Sequence, residues 1–133
     1  MALEKTILEI LNEGTIAALS TVPATLGGTE CSEIDMTTSS QLTITIEGSY
    51  PAGANDNLTA HFRTSPVGGT DPAEWDTLDY CSTDLTYTAG DRVQKTVAIW
   101  CDPLYGQVIL TNAGTTAVYN VVVTRTLQDV EPV

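Results

Sequence analysis

The chain has 133 residues, 42% apolar and 17% charged, and its five Lys and Arg against seventeen Asp and Glu give a formal net charge of −12. That length suggests one domain, able to bury about two-thirds of the surface its unfolded chain exposes and to hold a core without metal or disulfides. The charge argues against a phosphate-contacting nucleic-acid surface, which needs clustered Lys and Arg, and against anionic membranes for the same reason.

About one residue in six is threonine, which together with the many Val and Gly and the few Lys leans toward β structure. Residues 3 to 13 carry Leu3, Ile7, Leu8 and Leu11 at 3–4 spacing, which predicts a short amphipathic helix stopped by Gly14. An eleven-residue helix is marginal alone, so these four residues are candidate assembly contacts, leaning on the domain or on a neighbouring subunit. The segment lacks a basic n-region, a continuous apolar run and a small-residue cleavage site, so no signal peptide is expected. No run approaches the roughly 18 apolar residues of a membrane helix. Residues 15 to 30, "TIAALSTVPATLGGTE", read as an arm or one irregular strand.

From residue 31 the period is two. "QLTITIEG" puts Leu42, Ile44 and Ile46 on one face and Thr43 and Thr45 on the other, a half-buried strand. "YPAGANDN" is a loop. "LTAHFR" turns Leu58, Ala60 and Phe62 inward and His61 outward. "SPVGGTDPAEW" is a Gly/Pro loop in which Gly68 and Gly69 supply flexibility. "TLDYCS" is expected as a strand with Leu78 and Tyr80 together, and "TAGDR" as a turn. "RVQKTVAIWC" and "QVILTN" read as two core strands joined by the reversal "DPLYG", with Asp and Pro opening the turn and Gly106 near its end. Trp100 and Tyr105 then flank that turn, placed to stack across it or to cover one end of the domain. "AVYNVVVTRTL" is the last strand, with Ala117, Tyr119, Val121, Val123 and Leu127 on its core side.

About seven strands without intervening helices predict an all-β, antiparallel β-sandwich, jelly-roll or immunoglobulin-like, with a short N-terminal helix or arm. The expected organisation is a helix or arm over residues 1–30, a sandwich over 31–127 and a polar tail over 128–133.

Few residues promise chemistry. Cys31, Cys81 and Cys101 are an odd set with wide spacing, neither a disulfide framework nor a zinc pattern, which suits thiols kept reduced. A nucleophilic cysteine needs a base and a positive field. Asp102 beside Cys101 does the reverse, and the lone His61 lies on another strand. Asn57-Leu58-Thr59 matches a glycosylation acceptor, without a secretory route to use it. Asp71, Glu74, Asp76, Asp79 and Asp84 cluster around Trp75. A glycosidase needs two carboxylates across a cleft, but solvated loop charge is the simpler reading. Asn55, Asp56, Asn57 and Asp71 are oxygen donors that suit Ca²⁺, though the EF-hand order is absent. Phosphate-loop, dinucleotide, G-x-S-x-G and H-E-x-x-H signatures are missing. The reading is therefore no enzyme, no metal and no cofactor. Trp75, Trp100 and Tyr105 are candidate binding-surface aromatics for the alternative, a carbohydrate-binding module or adhesin.

The strand series "LTITIEG", "LTAHFR", "YTAGDRVQKTVAIWCDPLYGQVILTNAG" and "AVYNVVVTRT", spanning residues 36 to 127, resembles the small β-sandwich structural proteins of tailed-phage virions, of the head decoration (cement) or neck and tail accessory type. "TTAVYNVVVT" is also similar to the last strands of immunoglobulin or fibronectin type III domains. The virion resemblance implies a non-enzymatic clamp, made in a host cytoplasm and carried in the virion. It would bind copies of itself and capsid, neck or tail subunits through arms and sheet edges. It has no motif on which a functional residue transfers.

Overall fold

Strands form where β-branched residues alternate with polar ones, because that pattern suits a pleated surface buried on one face. A computed structural model describes residues 3–23, 33–100 and 103–130. Among them lie nine strands, β1 (Leu3–Ile16), β2 (Thr21–Val22), β3 (Ile34–Asp35), β4 (Ser39–Ser49), β5 (Leu58–Ser65), β6 (Cys81–Leu85), β7 (Arg92–Trp100), β8 (Tyr105–Asn112) and β9 (Val118–Val130), with one 3₁₀ turn at Pro72–Glu74.

The strands form two antiparallel sheets, ordered β1-β9-β4-β7 and β2-β8-β5-β6, with β3 also on β8. Thr21 pairs with Thr111 and Ile34 with Gly106, so β2 and β3 occupy two ends of one strand position beside β8. The pairs are then nested: β1 with β9, β2/β3 with β8, β4 with β7, β5 with β6. One long hairpin folded over on itself gives this order, which is the jelly roll rather than the immunoglobulin arrangement. The core lies between the sheets. Leu42, Ile44 and Ile46 of β4, with Val121, Val123 and Leu127 of β9, face Leu58, Ala60 and Phe62 of β5 and Val108 and Leu110 of β8, and all are buried. Each full burial of such a side chain contributes roughly 1.5–3 kcal/mol.

Four expectations are corrected. The N-terminal helix is instead β1, paired with β9 from Leu3↔Val130 to Ile16↔Val118. Thr6, Ile7, Ile10, Thr15 and Ile16 are β-branched, and a lone helix here is too short to stand, whereas the edge of β9 offers a partner for the backbone. A register shift also interrupts β1 between Glu9 and Leu11. The strand expected at 77–82 starts at Cys81, and Leu78 and Tyr80 are exposed. The parity of β9 breaks at its start: Val118 and Val121 are buried, Tyr119 is 47% exposed, and Asn120 sits at φ 51. One extra residue in a bulge reverses the alternation that period-two reading assumes. Finally, β7 and β8 are not a hairpin. They belong to opposite sheets, because the jelly-roll path crosses between sheets there. Cys101 and Asp102 lie outside the described residues, as does Cys31. β9 itself continues to Val130, into the expected tail.

Candidate functional site

Alternation along β5 turns Thr59, His61 and Arg63 to the outer face of their sheet, and the acidic stretch after Trp75 folds back over them. Asp79 bridges two of these residues: Oδ2 lies 2.8 Å from His61 Nδ1 and Oδ1 accepts from Arg63 Nε at 2.5 Å. Burial alone would raise the Asp79 carboxyl, but the hydrogen bonds and charges of His61 and Arg63 outweigh it and hold the group below the usual carboxylate value. Thr59 Oγ1 donates to Asp84 Oδ1 at 2.8 Å, and Thr64 Oγ1 donates to Asp76 Oδ2 at 2.7 Å. Asp71 caps the 3₁₀ turn by accepting from the Ala73 N–H at 3.0 Å. Four of the five clustered carboxylates thus hold strand β5 or their own turn. Asp76 and Asp79, each already bonded to β5, share the lining of a shallow cleft with Thr64, Thr77, Leu78 and Tyr80.

The loop that carries them is anchored, in contrast to the flexible loop that its Gly and Pro content suggested. Ser65 Oγ donates to the Glu74 carbonyl at 2.6 Å and accepts from the Val67 and Gly68 N–H groups at 3.2 and 2.8 Å. Gly68 and Gly69 adopt φ 68 and 92, left-handed conformations that side chains disfavour, and the Gly69 N–H donates to Glu33 Oε2. Trp75, expected on a binding surface, is 4% exposed. Its Nε1 donates to the Gly69 carbonyl at 3.0 Å, which pins the loop from beneath. A flat ring with one donor makes a good plug for a loop that has a spare carbonyl.

The other two aromatics separate. Trp100 ends β7 and is 69% exposed, while Tyr105 begins β8 on the other sheet and is half-buried. Among the described residues no ring contact joins them. The candidate Ca²⁺ donors serve loops as well. Asn55 exchanges two 3.0 Å bonds with Thr115, Asp56 accepts from the Asn57 N–H at 2.7 Å, and Asn57 Oδ1 accepts from the Tyr87 N–H at 2.9 Å. No cluster of three or more His, Cys, Asp or Glu suited to a metal occurs among the described residues. Cys81 is a free thiol on the inner face of β6, opposite Phe62. His61 points to the outer face, so the two do not pair. Burial, then the charge of Asp79, pushes the Cys81 thiol up, away from thiolate.

Sequence reading missed two features. Asn112 is 1% exposed, and its amide nitrogen lies 3.3, 3.2 and 2.9 Å from the carbonyls of Ile16, Ala17 and Thr116. Its Oδ1 accepts from the Gly114 N–H at 3.0 Å. A strand-ending Asn before Ala-Gly was the available signal. The second feature is the open side of the sandwich. Among the described residues β6 and β7 are the end strands of their sheets there, and between them lies an apolar cleft of about 230 Å³ lined by Ile44, Ile46, Phe62, Val97, Ile99 and Thr83 among others. Lys95 stands opposite Ile46 on the inward row of β7 yet is exposed, because β7 is an edge. An inward charge on an edge strand discourages edge-to-edge pairing.

Solved structures match the chain at low identity. The PRD1 vertex protein P5 superposes with a TM-score of 0.53 at 12% identity, over 97% of this chain and 96% of that one. The SPBc2 prophage-derived protein YomS gives 0.45 at 13% identity, over 97% and 96%. A Podospora anserina GH26-CBM35 β-(1,4)-mannanase gives 0.45 at 12% identity, over 96% of this chain and 28% of that one. No protein-family model and no curated protein matches the chain. The likeness to P5 concerns the fold: both chains are the same β-sandwich along nearly their whole lengths. No helix among the described residues is long and apolar enough to cross a membrane.

Proposed function

We propose that this chain is a non-enzymatic structural protein of a phage virion, acting through protein–protein contacts. The observation that carries the reading is a whole-length jelly roll shared with a vertex protein. The employment of its carboxylates in holding strand β5 and the adjoining loop supports it: Asp71, Asp76, Asp79 and Asp84 each accept a bond that fixes the fold. The finer reading is a decoration or cement protein of a tailed-phage capsid, or a neck or tail accessory, working as a homo-oligomer or as many copies on a lattice. The experiment is co-sedimentation of the labelled protein with assembled capsids and tails of its phage, alongside light scattering for its own oligomeric state. Saturable binding at a fixed number of copies per particle is expected. A monomer that stays in the supernatant with every particle refutes the reading.

One observation favours a second reading. Trp100 is 69% exposed at a sheet corner, and stacking on a sugar ring is one use for such a residue. A glycan array with Trp100→Ala as control tests a carbohydrate-binding role. The burial of Trp75 removes half of the tryptophan surface that role would draw on.

A further inference from the structure

The cleft between β6 and β7 is a gap in the sandwich wall. Its lining residues Ile44, Ile46, Phe62, Val97 and Ile99 come from both sheets, so it opens on the core itself. Along one rim runs the nine-residue outer edge of β7, and along the other the five-residue edge of β6. A cavity of about 150 Å³ holds a benzene, so about 230 Å³ holds one or two aliphatic side chains. That is below the roughly 300–1,000 Å³ of small-molecule clefts, which also carry convergent polar groups. An extended peptide fits better, because its backbone completes the edge of β7 while alternate side chains enter the gap.

Charge narrows the occupant. Arg92, at one end of β7, is spent on Glu47 at 3.2 Å. Lys95, at the middle, makes no ion pair with any described residue and stands on the inward row beside Val97. A second copy docking β7 on β7 would bring two Lys95 ammonium groups onto one short stretch, and like charges across strands destabilise the pair. It would also join two chains of −12 each. A segment carrying a carboxylate meets Lys95 favourably.

We propose that this open side binds an extended segment of a partner protein, added as a strand along β7, with aliphatic side chains in the cleft and a carboxylate at Lys95. Lys95 then acts as a selector, repelling copies of its own chain and accepting an acidic strand. The proposal supplies the partner chemistry for the assembly role above and rests on that reading only for the partner's identity.

The test uses the full chain with a nine-residue probe of alternating Val and Thr and a central Glu, fused behind Val133 through a Gly/Ser linker. Tethering raises the effective concentration to about the millimolar range, so weak docking is still read. Amide exchange of Thr96 and Ala98 on β7 should slow by about tenfold with the Glu probe, and a probe with central Lys should be weaker on the order of fivefold. In Lys95→Glu the preference should reverse. Unchanged exchange on β7 with the Glu probe overturns the docking. Equal slowing by both probes, or an unreversed preference in Lys95→Glu, overturns the charge selection. A concentration-dependent dimer of the untethered protein that itself protects β7 assigns the edge to a second copy and overturns the partner. Sedimentation with virions reads a different surface question, so either experiment can fail while the other holds.

Discussion

Asn112→Ala should be the most damaging small change outside the apolar core. The side-chain amide joins two crossings at one end of the sandwich: the exit of β1, through the Ile16 and Ala17 carbonyls, and the connection from β8 to β9, through the Thr116 carbonyl and the Gly114 N–H. Alanine removes every one of these bonds and leaves their backbone partners in a site where the native side chain is 1% exposed. Each net hydrogen bond is worth about 1 kcal/mol, and each buried group left unsatisfied costs about 1–3 kcal/mol. The amide has two protons for three carbonyls, so the three contacts count as about two bonds. Two lost donors and one lost acceptor give about 3–5 kcal/mol, a large part of the roughly 5–15 kcal/mol that holds a domain. Urea unfolding followed by near-UV circular dichroism reads this directly. With a slope of about 2 kcal/mol/M, the midpoint should fall by about 2 M at unchanged slope. A loss below about 1 kcal/mol would refute the reasoning, since it would mean that water or relaxation replaces the amide at no cost.

Gly106→Ala should destabilise by about 1–3 kcal/mol through overpacking, because the new Cβ would stand 2.6 Å from Phe62 Cε2 and 3.2 Å from Met36 Cε; thermal unfolding checks it, and Phe62→Leu in the same chain should recover part of the loss. Asp79 has a folded value below its ordinary one, so its contribution is present above about pH 4 and is lost as pH falls through the folded value. Urea midpoints at pH 7 and pH 3 should therefore differ less in Asp79→Asn than in the native chain, and equal differences would remove the assigned role. Deleting residues 1–14 should lower the unfolding midpoint by well over the roughly 4 °C that 1 kcal/mol is worth at this size, because β1 pairs with β9 through most of that length; a loss of assembly with stability intact would restore the free-arm reading.

Period-two alternation carried most of the fold. "QLTITIEG" became β4, "LTAHFR" β5, "RVQKTVAIWC" β7 and "QVILTN" β8, each within a few residues of its reading. In these strands one face is buried against the opposite sheet, so local pattern and tertiary packing agree. The misreadings fall where a distant residue decides. Leu3, Ile7, Leu8 and Leu11 fit a helix until β9 offers them a longer partner. Gly106 reads as turn punctuation, yet it sits in β8 and leaves room for the Phe62 ring. Asn120 carries the φ of 51 that shifts β9 by one residue, and the Arg92 guanidinium donates to its carbonyl at 3.2 Å. A bulge of this kind is written in no alternation, because the residue that stabilises it comes from another strand.

The same distinction governs the candidate sites. Aromatics and carboxylates around Trp75 look like a binding loop because composition cannot tell a plug from a platform. What separates them is the partner of each polar atom. Trp75 Nε1 is aimed inward at a carbonyl of its own loop, and Asp76 and Asp79 are aimed at β5. A group committed to holding its own fold is poorly placed to leave it for a ligand, since the bond it breaks must be replaced. Among the described residues, the edge of β7, the cleft behind it and the ammonium of Lys95 are not committed in this way, and none of them has a sequence motif. They follow from topology: a jelly roll that ends one sheet at β6 and the other at β7 along the same side leaves a seam wherever those two edges diverge. An apolar seam with Lys95 on the adjoining inward row of β7 suits the extended acidic strand proposed above.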